Sequence, residues 1–313
     1  MKMRYTDLPA LNIDMLELYR ERFQQSLTEL ADASPNSRLA WNPGYNYHYY
    51  DDGRLLTAIS DGGVFSRPHF CLPLGNLDAE SLASQLGTLA EIFKESGFCC
   101  FCSMFVDELY KPVYEEAAER CGYFIEWDYN DDYSDYVYSA KNLRELKGRR
   151  FRAKRNHINS FIRDFPDVEF LPLAAPMRAD ILTVVEEWAD EKSADVNNLR
   201  RSDYLPIKYL LEHMEELAVK GGVIRLGGRV QAFAIGSEFE DRAVIHFEKA
   251  NPDFANLYPL INRYCMREIF PTVLEVNREE DMGIEGLRIA KQSYHPQKML
   301  RKFRAYFMKD SCK

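Results

Sequence analysis

Apolar and polar residues alternate along this chain with two periods, and each switch of period marks an element. Ile13, Leu16, Tyr19 and Phe23 recur at helical spacing behind Asn12, a natural N-cap, which predicts a helix over residues 12–25. Pro35 and the Trp41-Asn-Pro-Gly44 stretch are expected to interrupt helix. Residues 45–50 and 54–60 flank Asp51-Asp52-Gly53 as a hairpin, and a further strand is expected around residues 64–72. Helix, buried strand, helix and strand follow over residues 78–95, 98–105, 107–120 and 123–127.

The polar, turn-rich run Asp128-Tyr-Asn-Asp-Asp-Tyr-Ser-Asp135 marks a boundary. Beyond it the pattern predicts a strand at residues 136–138 and one continuous basic helix over residues 143–165. A strand at 168–173 and helices at 177–191 and 204–220 come next. Strands at 223–226 and 229–239 flank the Gly227-Gly228 turn. The next strand, Ala-Val-Ile-His-Phe-Glu-Lys-Ala from Ala243 to Ala250, is apolar until His246, Glu248 and Lys249. Charges are almost never fully buried unless paired or used. In open α/β sheets, ligands bind outside the carboxyl ends of the strands. The stretch from residue 243 to 294, read as strand, loop, helix, strand, loop, helix, is therefore the expected site.

Length and composition fit this picture. A chain of 313 residues suggests two domains, here 1–132 and 133–313, the second carrying the site. No run of about 18 apolar residues is present, and the N-terminus lacks the apolar core of a secretion signal, so no integral membrane segment and a cytoplasmic location are expected. Seven cysteines without a framework spacing agree, and Cys99-x-x-Cys102 has no second ligand pair, so no metal is expected. Residues 141–163 hold nine Lys/Arg against one acid, a segment of +8 in a chain of net charge −9, so the remainder is −17. One dense basic segment in an acidic chain points to a local anionic ligand. No G-x-S-x-G, P-loop or H-E-x-x-H is present, which leaves serine hydrolases, P-loop NTPases and zincins without support.

The order strand, Gly-Gly turn, strand with small residues, charged-exit strand and helix resembles an acyltransferase of the GNAT type. Four motifs sharpen that resemblance: His246-Phe-Glu-Lys-Ala-Asn251, Leu257-Tyr-Pro-Leu-Ile-Asn262, Val276-Asn-Arg-Glu-Glu-Asp-Met-Gly283 and Gly286-Leu-Arg-Ile-Ala-Lys-Gln-Ser-Tyr-His-Pro296. Together with Lys154-Arg-Asn-His-Ile-Asn-Ser-Phe161 they resemble the DUF2156 family, which is similar to the C-terminal catalytic domain of phosphatidylglycerol lysyltransferases. The resemblance implies an α/β protein with mixed α+β sheets, built as two tandem GNAT-like domains. It also implies transfer of an aminoacyl group from aminoacyl-tRNA to a small-molecule amine or hydroxyl acceptor, with no further cofactor. The alternatives are a coenzyme A-dependent N-acyltransferase and a non-catalytic module that binds an anionic ligand. The loop corresponding to the coenzyme A pyrophosphate site, Asn251-Pro-Asp-Phe-Ala-Asn-Leu-Tyr258, contains no glycine and carries Asp253, which favours another donor.

Aminoacyl transfer needs a positioned acceptor, a base and donors for the developing oxyanion. Strand alternation puts His246 and Glu248 on one face, with Glu248 as base or acceptor-amine anchor and His246 beside it; a structural His–Glu pair is the alternative. Asn277, Arg278, Glu279 and Asp281, at the exit of the neighbouring strand, are expected to face substrate or to form a solvated loop. Lys291 and Tyr294 share a helix face, as a charge and a phenolic donor for the ligand or as surface residues. Tyr258 and Asn262 join them through their motif. Arg150, Lys154 and Arg155 lie on the basic helix, whose stripe through Arg144 and Lys147 contacts tRNA phosphates or is simply solvated.

Overall fold

The computed structural model describes residues 3–62, 67–98, 100–190 and 197–309. Packing divides the chain into two compact units, Met1–Ser134 with Leu300–Lys313, and Asp135–Met299. The chain thus passes between units twice, where a single boundary at 132/133 was expected.

The first unit begins with α1 (Leu16–Gln24) and α2 (Pro35–Tyr45). Helix α2 forms where proline was expected to prevent it. Ser34 caps its first turn, Pro35 occupies the N-terminal position that needs no N–H, and Pro43 falls in the last turn, ahead of the left-handed Asn46. Strands β1 (His48–Asp51) and β2 (Leu55–Ser60) make the expected hairpin, with Asp51 opposite Leu56. Of the strand expected at 64–72, residues 63–66 lie outside the described residues, and β3 (His69–Cys71) is its described part. Then come β4 (Leu74–Gly75), α3 (Ala79–Glu95), β5 (Phe101–Asp107), α4 (Lys111–Arg120) and β6 (Phe124–Tyr129). Asp78 caps α3 by accepting from the Ser81 N–H at 2.7 Å.

The second unit runs β7 (Asp135–Ser139), α5 (Ala140–Glu145), α6 (Arg152–Asp164), β8 (Glu169–Pro172), α7 (Arg178–Asp190) and α8 (Asn197–Glu212). It continues through β9 (Lys220–Leu226), β10 (Arg229–Phe239), β11 (Arg242–Ala250), α9 (Leu257–Tyr264), β12 (Glu275–Asn277), α10 (Glu285–Gln292) and β13 (Lys298–Leu300). The expected basic helix over 143–165 is two helices. Leu146 and Gly148 both take positive φ, 49° and 89°, and turn the chain between α5 and α6.

The last strand, β14 (Lys302–Met308), returns to the first unit. It pairs antiparallel with both β5 and β6, giving the order β1-β2-β3-β5-β14-β6 with β4 on β2. Phe307 stacks on Phe101 there, ring centroids 4.9 Å apart. The second sheet runs β13-β7-β12-β11-β10-β9-β8. A parallel pair lies in each sheet, β3/β5 in the first and β11/β12 in the second.

The small residues of β9 and β10 let helix approach sheet. A Cβ on Gly222 would stand 2.8 Å from the Tyr264 ring and 3.0 Å from Cys265 Sγ. Ala232, Ala234, Ala243 and Ile245 line the same face and pack against Leu257, Leu260 and Ile261 of α9 and Phe161 of α6.

Candidate functional site

Strands β11 and β12 pair only from Arg242/Glu275 to Val244/Asn277. Beyond that point the parallel strands part, and the residues leaving them meet across the gap.

The two faces of that gap are set by a β-bulge. Glu248 lies opposite Ala234 and Phe247 opposite Ile235, but Gly236 is opposite Ile245, so His246 is the extra residue of β11. Cross-strand partners share a face, so Glu248 and Ile245 both point with Ala234 and Gly236 toward α9. His246 points the other way, with Ser237. The expectation that His246 and Glu248 share a face is therefore corrected: one inserted residue reverses the alternation. Gly236 permits this, because a Cβ there would stand 2.4 Å from the Val244 carbonyl oxygen and 3.1 Å from the Phe270 ring.

On the α9 face, Arg278 Nη2 donates to Glu248 Oε1 at 2.9 Å, and Asn262 Nδ2 donates to Glu248 Oε2 at 3.1 Å. The side chains of Arg278 and Glu248 are 11% and 10% exposed. The guanidinium carbon lies 4.9 Å from the Tyr294 ring centroid and 5.6 Å from that of Tyr138. Burial disfavours the Arg278 charge, but Glu248 and the two phenol rings outweigh it, so its pKa rises. Lys154 Nζ lies 4.1 Å from the Tyr294 ring centroid, and its pKa is lowered, first by burial and then by Arg278, with Glu248 opposing. Burial raises the Tyr294 phenol. Two buried polar atoms beside the carboxylate, Arg278 Nη1 and Asn262 Oδ1, have no hydrogen-bond partner among the described residues. The cluster gathers one anion, two cations and two phenol rings from β11, α6, α9, β7 and the segments following β12 and α10.

On the opposite face, His246 Nε2 lies 2.8 Å from Ser237 Oγ, and Nδ1 lies 3.0 Å from Glu279 Oε1. Burial lowers the imidazole pKa to about 4, so the ring is neutral at pH 7. A carboxylate only accepts; Nδ1–H therefore donates to Glu279, and Nε2 accepts the Ser237 hydroxyl proton.

The loop after β12 is held from within. Asn277 Nδ2 donates to Asp135 Oδ2 at 2.9 Å, and its Oδ1 accepts the Glu279 N–H at 2.8 Å. Asp281 Oδ2 accepts from the Tyr136 hydroxyl at 2.6 Å, and its carboxylate takes both Nε and Nη2 of Arg288, at 2.9 and 2.8 Å. Burial alone would raise the Asp281 pKa, but Arg288 and Tyr136 hold it down to about 2. Lys291 Nζ donates to the carbonyls of Arg278 at 2.6 Å, Glu279 at 2.9 Å and Glu280. An ammonium has three donors, and all three are engaged. Lys291 thus clamps the loop rather than offering a donor to a ligand, and burial pulls its pKa down to about 8. Asn277 and Asp281 are likewise bound into the loop.

The basic stripe is also rearranged. Arg155 Nη1 donates to the carbonyls of Gly148, at 2.8 Å, and Leu146, and Arg144 donates to those of Phe270 and Val273, each at 3.0 Å. Of the three predicted phosphate contacts, Arg155 secures the turn before α6, Lys154 belongs to the Glu248 cluster, and Arg150 alone is exposed, beside Arg149 and Arg152. Tyr258 is 47% exposed on α9. Sequence reasoning missed Tyr138 and Ser237. Nothing in the sequence singles out a serine in a strand, but a glycine inside a strand, here Gly236, is a signal of a bulge.

The family described as phosphatidylglycerol lysyltransferase, C-terminal, matches residues 25–306 of this chain. A conserved protein of unknown function from Bacteroides thetaiotaomicron VPI-5482 is 27% identical, with a TM-score of 0.85 over 96% of this chain and 100% of that one. The C-terminal domain (DUF2156) of a candidate lysylphosphatidylglycerol synthetase from Agrobacterium fabrum shares the fold at 14% identity, TM-score 0.62, over 94% and 91% of the two chains. L-PGS from Bacillus licheniformis does so at 14% identity, TM-score 0.67, over 96% and 93%. A comparison with curated proteins finds no match. Among the described residues no helix is long and apolar enough to cross a membrane. The architecture is mixed α/β, with one mixed sheet in each unit. The sequence match spans both units and every residue of the Glu248 cluster, and the chain belongs to the phosphatidylglycerol lysyltransferase C-terminal family.

Proposed function

We propose that this protein transfers an aminoacyl group from aminoacyl-tRNA to an amine or hydroxyl acceptor at the Glu248 cluster. The observation that carries the reading is the pairing of a buried carboxylate with Arg278, beside Tyr294 and Lys154, at the parting of two parallel strands. Glu248 is suited to anchoring a cationic amino group. Each of its oxygens accepts one hydrogen bond from the protein and retains a lone pair for an ammonium N–H. The unpaired Nη1 of Arg278 and the phenol of Tyr294 are candidate donors to the carbonyl oxygen as it becomes an oxyanion. In the transfer, the acceptor's nitrogen or oxygen bonds to the ester carbonyl carbon, the bond from that carbon to the tRNA 3′ oxygen breaks, and the acceptor's proton ends on that oxygen as the free 3′ hydroxyl. The loop leading into α9 supports a donor other than coenzyme A. It presents an exposed Asp253 and takes its left-handed turn on Asn256, φ 74°, rather than on glycine.

Two measurements test this. Purified protein mixed with radiolabelled aminoacyl-tRNA and a panel of amine and hydroxyl acceptors should show transfer, and Arg278→Lys should lower it by about a hundredfold, the scale of losing one oxyanion donor. Charge reversal of Arg149, Arg150 and Arg152 should weaken tRNA binding and flatten its salt dependence, by about 0.7–0.9 in slope per lost phosphate contact. Binding that ignores salt, or a thermal shift with coenzyme A derivatives and none with charged tRNA, would overturn the donor assignment.

A further inference from the structure

Glu279 stands where the two faces of the gap meet. Its φ of 56° is left-handed, a conformation that costs a residue with a Cβ on the order of 1 kcal/mol and persists only when its surroundings enforce it. What enforces it is visible. The carboxylate is bound by His246, which is bound in turn by Ser237. The backbone N–H is held by Asn277 Oδ1, and the carbonyl accepts from Lys291 Nζ and the Tyr136 N–H. Arg278, immediately before it, donates its own N–H to the Tyr136 carbonyl at 3.0 Å and sends its guanidinium to the opposite face. Rotation at Glu279 would swing the peptide that carries Arg278.

We infer that Ser237, His246 and Glu279 form a positioning chain that fixes Arg278 against Glu248 from the far face of the sheet. The inference rests on reading the Glu248–Arg278 pair as the site. The bulge is what makes the chain necessary. By turning His246 away from Glu248 it gives that ring a separate partner on the neighbouring loop, so the two faces are tied through consecutive residues, Arg278 and Glu279. His246 is a positioning residue in this account and touches no substrate.

The experiment reads Arg278 directly, so its outcome does not depend on the transfer reaction. In ¹⁵N NMR the Arg278 Nε–H signal is assigned by its loss in Arg278→Lys, and it should be displaced by the rings of Tyr138 and Tyr294 and exchange slowly with solvent. Ser237→Ala and Glu279→Gly should each speed that exchange by about tenfold or more, the effect of removing a buried hydrogen bond, and move the signal toward that of a free guanidinium. Phe233→Leu, a buried control in β10, should lower the melting temperature and leave the displacement of the signal in place. Glycine is at home at φ 56°, so if the residue served the backbone alone, Glu279→Gly would leave Arg278 unchanged; that result would overturn the inference. A parent-like signal in Ser237→Ala would overturn it equally, whether or not Glu279→Gly folds.

Discussion

Arg278 and Glu248 are both nearly nine-tenths buried, and each neutralises the other. Removing one partner of such a pair leaves a buried charge that costs about 3–5 kcal/mol. Glu248→Ala is therefore expected to destabilise the protein by about 3 kcal/mol as well as to abolish binding of a cationic amine, and a urea titration measures the first part. A cost below about 1 kcal/mol would mean that the pair contributes little to folding. His246 gives a pH dependence with the opposite origin. Its folded pKa, about 4, is below the ordinary 6.5, so between those values the unfolded chain takes up a proton that the folded chain does not. The His246 contribution is complete above about pH 6.5 and falls as pH drops toward 4, by up to about 3 kcal/mol at 1.36 kcal/mol per pH unit. Lys291 behaves likewise at high pH. Its folded value of about 8 lies below 10.5, so the native state should gain stability as pH rises from 8 to 10.5. Denaturation midpoints at pH 4.5, 7, 8 and 10 test both signs, and His246→Gln should remove most of the acid slope. The residue types at this site were legible in the sequence, because buried ionisable groups at a strand exit ask for partners. Which partner each took was not. The three Lys291 donors go to three consecutive carbonyls, and no spacing rule reports backbone acceptors.

At the scale of elements, β11 depends on its partner strand. Gly236 leaves room for the Val244 carbonyl at the bulge, so Gly236→Ala should close that room and cost about 1–3 kcal/mol through overpacking. It should also disturb the registers on either side, seen as altered amide shifts for Ile245, His246 and Phe247; unaltered shifts would place the cause of the bulge elsewhere. Helices were read well where a cap announces them, as at Asp78 before α3. They were read poorly where a positive φ fell on a residue with a side chain. Leu146 ends α5 in a left-handed conformation that leucine seldom adopts, so the basic stretch looked like one helix and its arginines like one stripe.

For the whole molecule, the chain order and the sheet order part company at the C-terminus. Strand β14 lies between β5 and β6, so the first unit's sheet is incomplete without residues from the far end of the chain. Truncation after Leu300 is expected to remove hydrogen-exchange protection from β5 and β6 while β10 and β11 keep theirs. Retained protection in β5 would show that the first unit closes without β14. Lys302-Phe-Arg-Ala-Tyr-Phe-Met308 alternates as a strand should, but local pattern says nothing about which sheet receives it.

The sequence by itself determined that this chain is α/β, that it belongs to the phosphatidylglycerol lysyltransferase C-terminal family, and that ionisable residues gather at the exits of β11 and β12. These follow from hydrophobic period, turn residues and motif order, which are local and survive without knowledge of neighbours. Only the tertiary structure decided that His246 and Glu248 face opposite ways, that Lys291 is a clamp, and that Lys154 leaves the basic surface for the Glu248 cluster. Each of those depends on register, on one inserted residue, or on backbone carbonyls brought near by folding, and a shift of a single residue reverses which face a side chain serves.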